Sequence, residues 1–471
     1  MLKKMYNKDK KIMENSKNRR KFLKNSALFA VATPFFGLPT DTFGNTPSNY
    51  ANKNFEEPSR NIPIIKDTDV LVCGGGPAGF AAAIESARKG AKTTLIEMNG
   101  CLGGVWTTGL LSNILDYTNK PGIMKELAHR LEQGDAQYSA KVYDAELMKY
   151  ILDQMCQEAG VEVRLHTRVT AAYTNSKNKL EYIVTESFSG REAWKSKVFI
   201  DATGNGDLAA QAGCGFDIGS PETGKTQPAS LMAILVGLEE DQLVNEGLMV
   251  PKGKSSEPSK KKLYQEIKRA GVNASYTMPT MFAIRPGMMA LMANHQYGVS
   301  ALSADEITTA TIEARRELNS IVDGLRSLKG VWSNVRIANT GAQIGIREGR
   351  RIHGLYTLTW EDLKNGSRFD DAVCRVTFNV DVHSLEKDSG GGYSSHSTKA
   401  KPYDIPLRSL IAKDVDGLLM AGRCISGDFF AHSSYRVTGN AVPMGEAAGK
   451  VAATASLLDV LPQEVKYKMG N

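Results

Sequence analysis

Cysteine is scarce and scattered in this chain, with single residues at Cys73, Cys101, Cys156, Cys214, Cys374 and Cys424 and no Cys-x-x-Cys pair. Such spacing excludes the usual thiolate frameworks for an iron–sulfur cluster or a zinc site, and no metal is expected. No apolar run is long enough to span a bilayer, so a transmembrane segment is not expected. The formal net charge is +7, but residues Met1–Asn25 hold ten Lys/Arg against only Asp9 and Glu14. The remainder is balanced between acid and base, which removes the electrostatic footprint that a nucleic-acid partner requires. With 42% hydrophobic and 23% charged residues, a chain of 471 residues has enough apolar material for two or three cores.

The N-terminal excess of basic charge has a local pattern. Arg19-Arg20-Lys21-Phe22-Leu23-Lys24 precedes an apolar run, Ala27 to Leu38. It resembles a twin-arginine export signal, which implies a protein folded before export to the periplasm; a basic, solvated tail is the alternative. Pro39–Arg60 has no apolar period and reads as a linker, so residues 1–61 are assigned to signal and linker.

The folded part opens with a βαβ pattern: an apolar strand at Asp69–Cys73, a helix at Ala78–Lys89 ended by Gly90, and a strand at Thr93–Glu97. Between the first strand and the helix lies Gly74-x-Gly76-x-x-Gly79, the spacing of a dinucleotide fingerprint. The first glycine permits the turn, the second lets backbone approach a pyrophosphate, and the third lets helix and strand pack closely. Glu97 closes the second strand where a carboxylate meets ribose hydroxyls, which disfavours a 2′-phosphate and therefore NADP. NAD and FAD both remain at this point. The chain has no second glycine fingerprint, so a built-in NAD(P)H domain is not expected.

A helix is expected at Glu146–Ala159, then a meander of strands over Val161–Ile200. A second domain follows, with a Lys260–Lys262 cluster read as a solvated face and a helix at Asp305–Leu325 opened by a Ser303-x-x-Glu306 capping box. Val376, Phe378, Val380 and Val382 alternate as in a strand, and 390–396 is a glycine-rich loop.

Two later segments bear on the cofactor: Asp201-Ala-Thr-Gly204-Asn-Gly-Asp207 and Leu418-Leu-Met-Ala-Gly422-Arg-Cys-Ile-Ser-Gly-Asp428. Both resemble the secondary flavin contacts of FAD oxidoreductases with a glutathione-reductase-type Rossmann fold. Arg347-x-x-Arg350-Arg351, Val380-Asp-Val-His383 and Tyr403-x-Ile-Pro406-x-Arg408 extend the likeness to the FAD-dependent oxidoreductases related to the flavoprotein part of heterodisulfide reductase. The chain lacks that protein's cysteine sets for clusters. The resemblance implies an α/β fold: a Rossmann-type FAD-binding domain in two parts, 62–214 and 402–462, with an inserted α+β substrate domain at 215–401. It implies FAD held by Gly74, Gly76, Gly79, Glu97, Gly104, Gly204, Gly422 and Asp428, with Asn440 near the start of a closing helix whose dipole favours a reduced, anionic flavin.

For catalysis the motif Asp428–Arg436 supplies His432 as proton acceptor and Arg436 as a carboxylate or alkoxide binder. Arg347 is a further pocket candidate, with His383 and Tyr403 behind it. Cys101 stands alone where disulfide reductases place a redox pair, which disfavours that chemistry. The expected activity is oxidation of a CH–OH or CH–CH group in a small polar substrate, such as a sugar or glycoside, with an external electron acceptor. A reductase fed by a partner protein, or a flavoprotein scaffold without turnover, are the alternatives. Oligomeric state does not follow from the sequence.

Overall fold

The glycine fingerprint sits at the carboxyl end of a parallel strand, β1 (Ile64–Cys73), where the chain enters the helix Pro77–Arg88. The computed structural model describes residues 54–134, 141–386, 393–394 and 399–469. The expected export signal lies outside those residues, as does most of the glycine-rich loop. The chain divides into Met1–Arg60, of which only the exposed stretch 54–60 is described, and Asn61–Asn471, which holds everything that follows.

The main sheet has seven strands. β1, β2 (Thr93–Ile96), β3 (Glu162–Arg164), β4 (Arg168–Thr174), β5 (Leu180–Ser187) and β6 (Gly190–Asp201) are ordered β3-β2-β1-β6-β5-β4. β1 is parallel to both β2 and β6, and β2 is parallel to β3. β6 is long enough to serve two neighbours on its other edge. Its first half is antiparallel to β5, while Phe199–Asp201 is parallel to the returning strand Leu418–Met420. Val70–Cys73 is completely buried, as a central parallel strand covered on both faces must be. The expected meander is real for β4, β5 and β6; β3 instead joins the parallel side.

Two helices lock this sheet. Pro77 stands in the first turn of Pro77–Arg88, where its missing N–H costs nothing. The closing helix Thr438–Leu458 crosses it through Gly445 and Gly449, spaced one turn apart. A Cβ at either would lie 2.0 Å from the Ala78 carbonyl oxygen or 2.2 Å from that of Ala82. The two backbones therefore touch, and only glycine permits it. Pro443 lies in the second turn of this helix and leaves the Gly439 carbonyl without its ladder donor.

Between β6 and Leu418–Met420 the chain builds a second, antiparallel sheet, ordered Arg336–Thr340, Met232–Val236, Met288–Met292, Thr280–Arg285. Side chains alternate along it. Leu231, Ala233, Leu235, Met281, Ala283, Met289 and Leu291 face a core closed by the helices Glu257–Arg269 and Ala304–Ser327. From the longer helix Ala310, Ala314, Leu318, Ile321, Val322 and Leu325 form the buried stripe, each large apolar side chain contributing about 2 kcal/mol. The opposite sheet face carries Met232, Ile234, Phe282, Ile284 and Ala290 toward Leu110 and Ala145. The capping box is half formed: Ser303 Oγ accepts from the Glu306 N–H, while the Glu306 carboxylate turns to the Ser300 N–H.

Candidate active site

A cavity of about 730 Å³ runs from the glycine fingerprint to the inner face of the second sheet. At one end it is walled by Gly74, Gly76, Glu97, Gly104, Gly204, Gly422 and Arg423, and at the other by Met232, Phe282, Met292, Arg347, His383 and Arg436.

The first end has the shape of a dinucleotide cradle. Gly74 has φ +101°, and a Cβ there would meet the Ala202 carbonyl at 2.4 Å. Gly79 carries no room at all, since its Cβ would sit 1.7 Å from the Gly74 carbonyl oxygen. Gly76 is different: a Cβ would have nothing within 4 Å, because it would project into the cavity itself. Three glycines thus serve the turn, the open approach and the close packing that the spacing demands. Glu97 is buried at the end of β2, where Oε2 accepts from the Gly75 N–H at 2.6 Å and Oε1 from both Asn99 nitrogens. Its remaining lone pairs are available to hydroxyls in the cavity.

Asp201 organises the next wall. Its Oδ1 accepts from the Thr203 N–H and hydroxyl and its Oδ2 from the Ala209 N–H, which fixes the turn through Gly204 (φ +79°). Burial raises the Asp201 pKa against these bonds. Arg423 leans over Gly204, so close that a Cβ there would lie 2.8 Å from its guanidinium. It donates to the Asn205 Oδ1 at 2.7 Å, and its Nε has no partner among the described residues. Burial lowers its pKa, as expected of a cation held in a wall without a bonded carboxylate. The arginine stands beside Gly422 in the sequence, yet nothing there marks its role, because an arginine beside a turn is most often solvated. The first turn of Thr438–Leu458 also lines the cavity through Thr438 and Ala441. The helix dipole puts partial positive charge there.

At the far end cations gather. Arg347 donates to the Pro228 carbonyl at 2.5 Å and the Ser230 hydroxyl at 2.9 Å, and approaches the His295 ring at 3.5 Å. None of these partners is anionic. Burial and the neighbouring Arg436 charge bring its pKa down to about 10. Arg436 donates to the Gln227 Oε1 and to the Asp381 carbonyl, with the Asp381 carboxylate 4.0 Å away. Burial lowers its pKa as well, against the pull of Asp381 and Glu348. Asp381 lies 3.3 Å from His383 Nε2. Burial would raise its pKa, but the His383 bond and the charges of His383, Arg436 and Arg347 hold it at about 2. His383 is pushed down to about 4 by burial and Arg347, against the pull of Asp381, and its buried Nδ1 has no partner among the described residues. It is therefore neutral at pH 7.

The other expected residues fall elsewhere. His432 is fully buried in the short helix Phe429–Tyr435 and is not part of the cavity wall. Neither ring nitrogen makes a hydrogen bond of normal geometry, although the Arg423 backbone favours the protonated ring. Burial and three arginines, Arg436, Arg351 and Arg423, outweigh that and drive its pKa well down. Asp428 caps this helix, accepting from the Ala431 N–H, and holds the Trp360 N–H with its other oxygen. Asn440 is buried off the cavity, accepting from the Cys374 thiol. Tyr403 donates to Ser434 away from the cavity. Of the arginine triplet only Arg347 enters; Arg350 pairs with Asp207, and Arg351 forms a buried pair with Glu348.

Two readings change. The Lys260–Lys262 cluster is not wholly solvated, because Lys260 shares a helix face with the buried Leu263 and Ile267 and lines the cavity, where burial lowers its pKa. The alternating run is not one strand: Val376 ends the strand Ala372–Val376, and Val382 belongs to a separate two-residue strand, Val382–His383. Beyond Val376 the Thr377 and Phe378 N–H groups bond the Asp116 carboxylate, and the freed segment 378–381 becomes cavity wall.

Fold and cradle together define a protein with a Rossmann-type dinucleotide-binding domain. The chain belongs to the FAD dependent oxidoreductase family, whose model matches residues 69–469. It is an oxidoreductase, and its cofactor is FAD. Among curated proteins it is similar to mitochondrial dihydrolipoyl dehydrogenase of Caenorhabditis elegans, 46% identical over 50 residues, 11% of this chain and 10% of that one. It is also similar to thiamine thiazole synthase of Methanococcus maripaludis (strain C6 / ATCC BAA-1332), 27% identical over 151 residues, 30% of this chain and 58% of that one. The match thus spans about a tenth of the dihydrolipoyl dehydrogenase. Among solved structures, a geranylgeranyl bacteriochlorophyll reductase-like protein from Thermoplasma acidophilum matches with a TM-score of 0.43 at 13% identity, covering 83% of this chain and 78% of that one. The flavin-dependent brominase Bmp2 matches with a TM-score of 0.45 at 14% identity, over 85% and 81%.

Proposed function

We propose that this protein is an FAD-dependent dehydrogenase that oxidises a CH–OH (or CH–CH) group of a small polar substrate, such as a sugar derivative, and passes the electrons to a separate acceptor. The observation that carries this reading is the convergence of Arg347, Arg436 and the His383–Asp381 pair at one end of the cavity that begins at the glycine cradle. FAD, when bound, supplies the acceptor for the hydride equivalent leaving the substrate carbon. The chain's own residues handle the rest. His383, neutral and held by Asp381, takes the hydroxyl proton, so that carbonyl formation is balanced by one proton and one hydride. Asp381 stabilises the imidazolium that results, and Arg436 stabilises negative charge developing on the substrate oxygen. In this reading His432, fully buried off the cavity in the helix capped by Arg436, is not the proton acceptor. The second sheet's apolar face, with Met232 and Phe282, keeps water from the reacting carbon. Export of the folded, cofactor-loaded protein accords with the Arg19-Arg20 segment and belongs to the same proposal.

The test is anaerobic, single-turnover reduction of bound flavin by a reducing substrate. His383→Gln is expected to slow the reduction step by about 100-fold or more with FAD content unchanged. An unchanged rate in that variant removes His383 from proton transfer.

A further inference from the structure

Among the described residues, the positive charge at the arginine end of the cavity is not balanced by carboxylates. Arg347, Arg436 and Lys260 all line it, and the one carboxylate among the lining residues there is Asp381, which is shared with His383. Arg347 is the clearest case: its bonded partners are a carbonyl, a hydroxyl, a thioether and an imidazole. A half-buried guanidinium whose bonded partners are all neutral lacks the counter-charge that an anion in the cavity would supply. The Arg436 side chain is only 8% exposed and meets Asp381 at the outer limit of an ion pair.

From this we infer that the substrate is an anion, a hydroxy carboxylate whose carboxylate is gripped between Arg347 and Arg436 with its neighbouring hydroxyl toward His383. The inference rests on the proposed reading of the cavity as a substrate site and sharpens its substrate class. A neutral sugar leaves both guanidiniums without an anion, whereas a sugar acid or other 2-hydroxy acid supplies one. The carboxylate also fixes which carbon is oxidised: with the carboxylate held by the arginines, the adjacent hydroxyl-bearing carbon is the one beside the His383–Asp381 pair. Arg347 and Arg436 are then specificity-determining residues.

Binding can be read without turnover. Gluconate and sorbitol share a polyol chain and differ by the carboxylate, while oxalate carries carboxylates and has no C–H bond to oxidise. Each is titrated into the anaerobic holoprotein, following perturbation of the flavin absorbance at constant ionic strength. Gluconate is expected to bind about tenfold or more tightly than sorbitol, and oxalate to compete with it, since charge-assisted bonds to a guanidinium are worth at least that factor. Arg347→Gln and Arg436→Gln, each at full FAD content, are expected to erase the preference, and Arg347→Lys to retain part of it. Equal binding of gluconate and sorbitol by the wild-type protein overturns the inference, as does no perturbation by oxalate or gluconate up to their solubility. A preference that survives both glutamine variants, with only the flavin potential altered, overturns it too and assigns the arginines to the flavin. Because oxalate cannot be oxidised, its binding stands apart from the dehydrogenase reading: oxalate that binds to a protein no substrate reduces leaves the anion site between Arg347 and Arg436 intact and removes the dehydrogenase reading and, with it, the assignment of the oxidised carbon.

Discussion

Gly76 and Gly79 stand three residues apart in one motif, yet the structure gives them opposite sensitivities. At Gly76 the backbone has φ −69° and ψ −172°, an ordinary extended conformation for any residue, and a Cβ would have no atom within 4 Å. Alanine there is unstrained in the protein without cofactor. The gain from a stiffer unfolded chain, about 0.4–1 kcal/mol, is offset by the poorer helix cap that alanine makes in place of glycine. The apoprotein's stability is therefore expected to stay within about 1 kcal/mol of wild type. The methyl group, however, occupies the space where the FAD pyrophosphate must lie against the backbone. Losing one or two charge-assisted contacts weakens FAD by about 10- to 1,000-fold. Gly79→Ala instead drives a carbon to 1.7 Å from the Gly74 carbonyl oxygen, which the helix can relieve only by leaving the strand. That change is expected to destabilise the apoprotein by about 3 kcal/mol or more. Both variants are checked by thermal unfolding of the apoprotein and by FAD titration through quenching of flavin fluorescence. A Gly76→Ala protein that binds FAD as tightly as wild type would falsify the placement of the pyrophosphate on this turn.

Three further outcomes are expected. Glu97→Ala removes an acceptor on the ribose side and should weaken FAD by about 10- to 100-fold while leaving FMN, which lacks the adenosine, unaffected; equal losses for both flavins would contradict the assignment. His383 is depressed from 6.5 to about 4 in the folded state, so the unfolded chain binds the extra proton between those values. Stability from this group is full above pH 6.5 and is lost as pH falls toward 4, by about 3 kcal/mol in all, and His383→Gln should flatten that part of a pH–stability curve. Gly445→Ala places a carbon 2.0 Å from the Ala78 carbonyl oxygen and should cost about 2–3 kcal/mol in unfolding experiments, with a lowered FAD affinity because the same helix pair frames the cradle; a neutral effect would mean that the helices separate freely.

Much of the cofactor half was legible because its demands are local. A strand, a tight turn and a helix N-terminus require glycine at fixed offsets, and an acid at the next strand end follows from the same geometry. The Gly445/Gly449 contact was equally local in cause but hidden, since it matters only once the other helix is known to be Pro77–Arg88. The far end resisted reading for a different reason. Its residues come from separate segments, Lys260 from one helix, Arg347 from a loop, His383 from a short bridge and Arg436 from a helix end, so no spacing links them. His432 and Arg436 were legible as a pair four residues apart, but the helix ends at Tyr435 and Arg436 is its cap, so the two side chains need not share a face. Here the first is buried against Tyr435 and the second, at the helix end, turns into the cavity. The charge run at Lys260–Lys262 read as solvated because composition cannot say which lysine shares a face with Leu263.

The central claim is that the cavity holds FAD which a substrate at the arginine end reduces. Its most direct test is an anaerobic visible spectrum of the purified holoprotein before and after addition of 2-hydroxy acids, sugar acids, neutral sugars and polyols in separate pools. Bleaching of the flavin bands by a pool, lost in the Arg347→Gln protein at equal FAD content, is the result expected here. Flavin that stays oxidised with every pool would contradict a dehydrogenase.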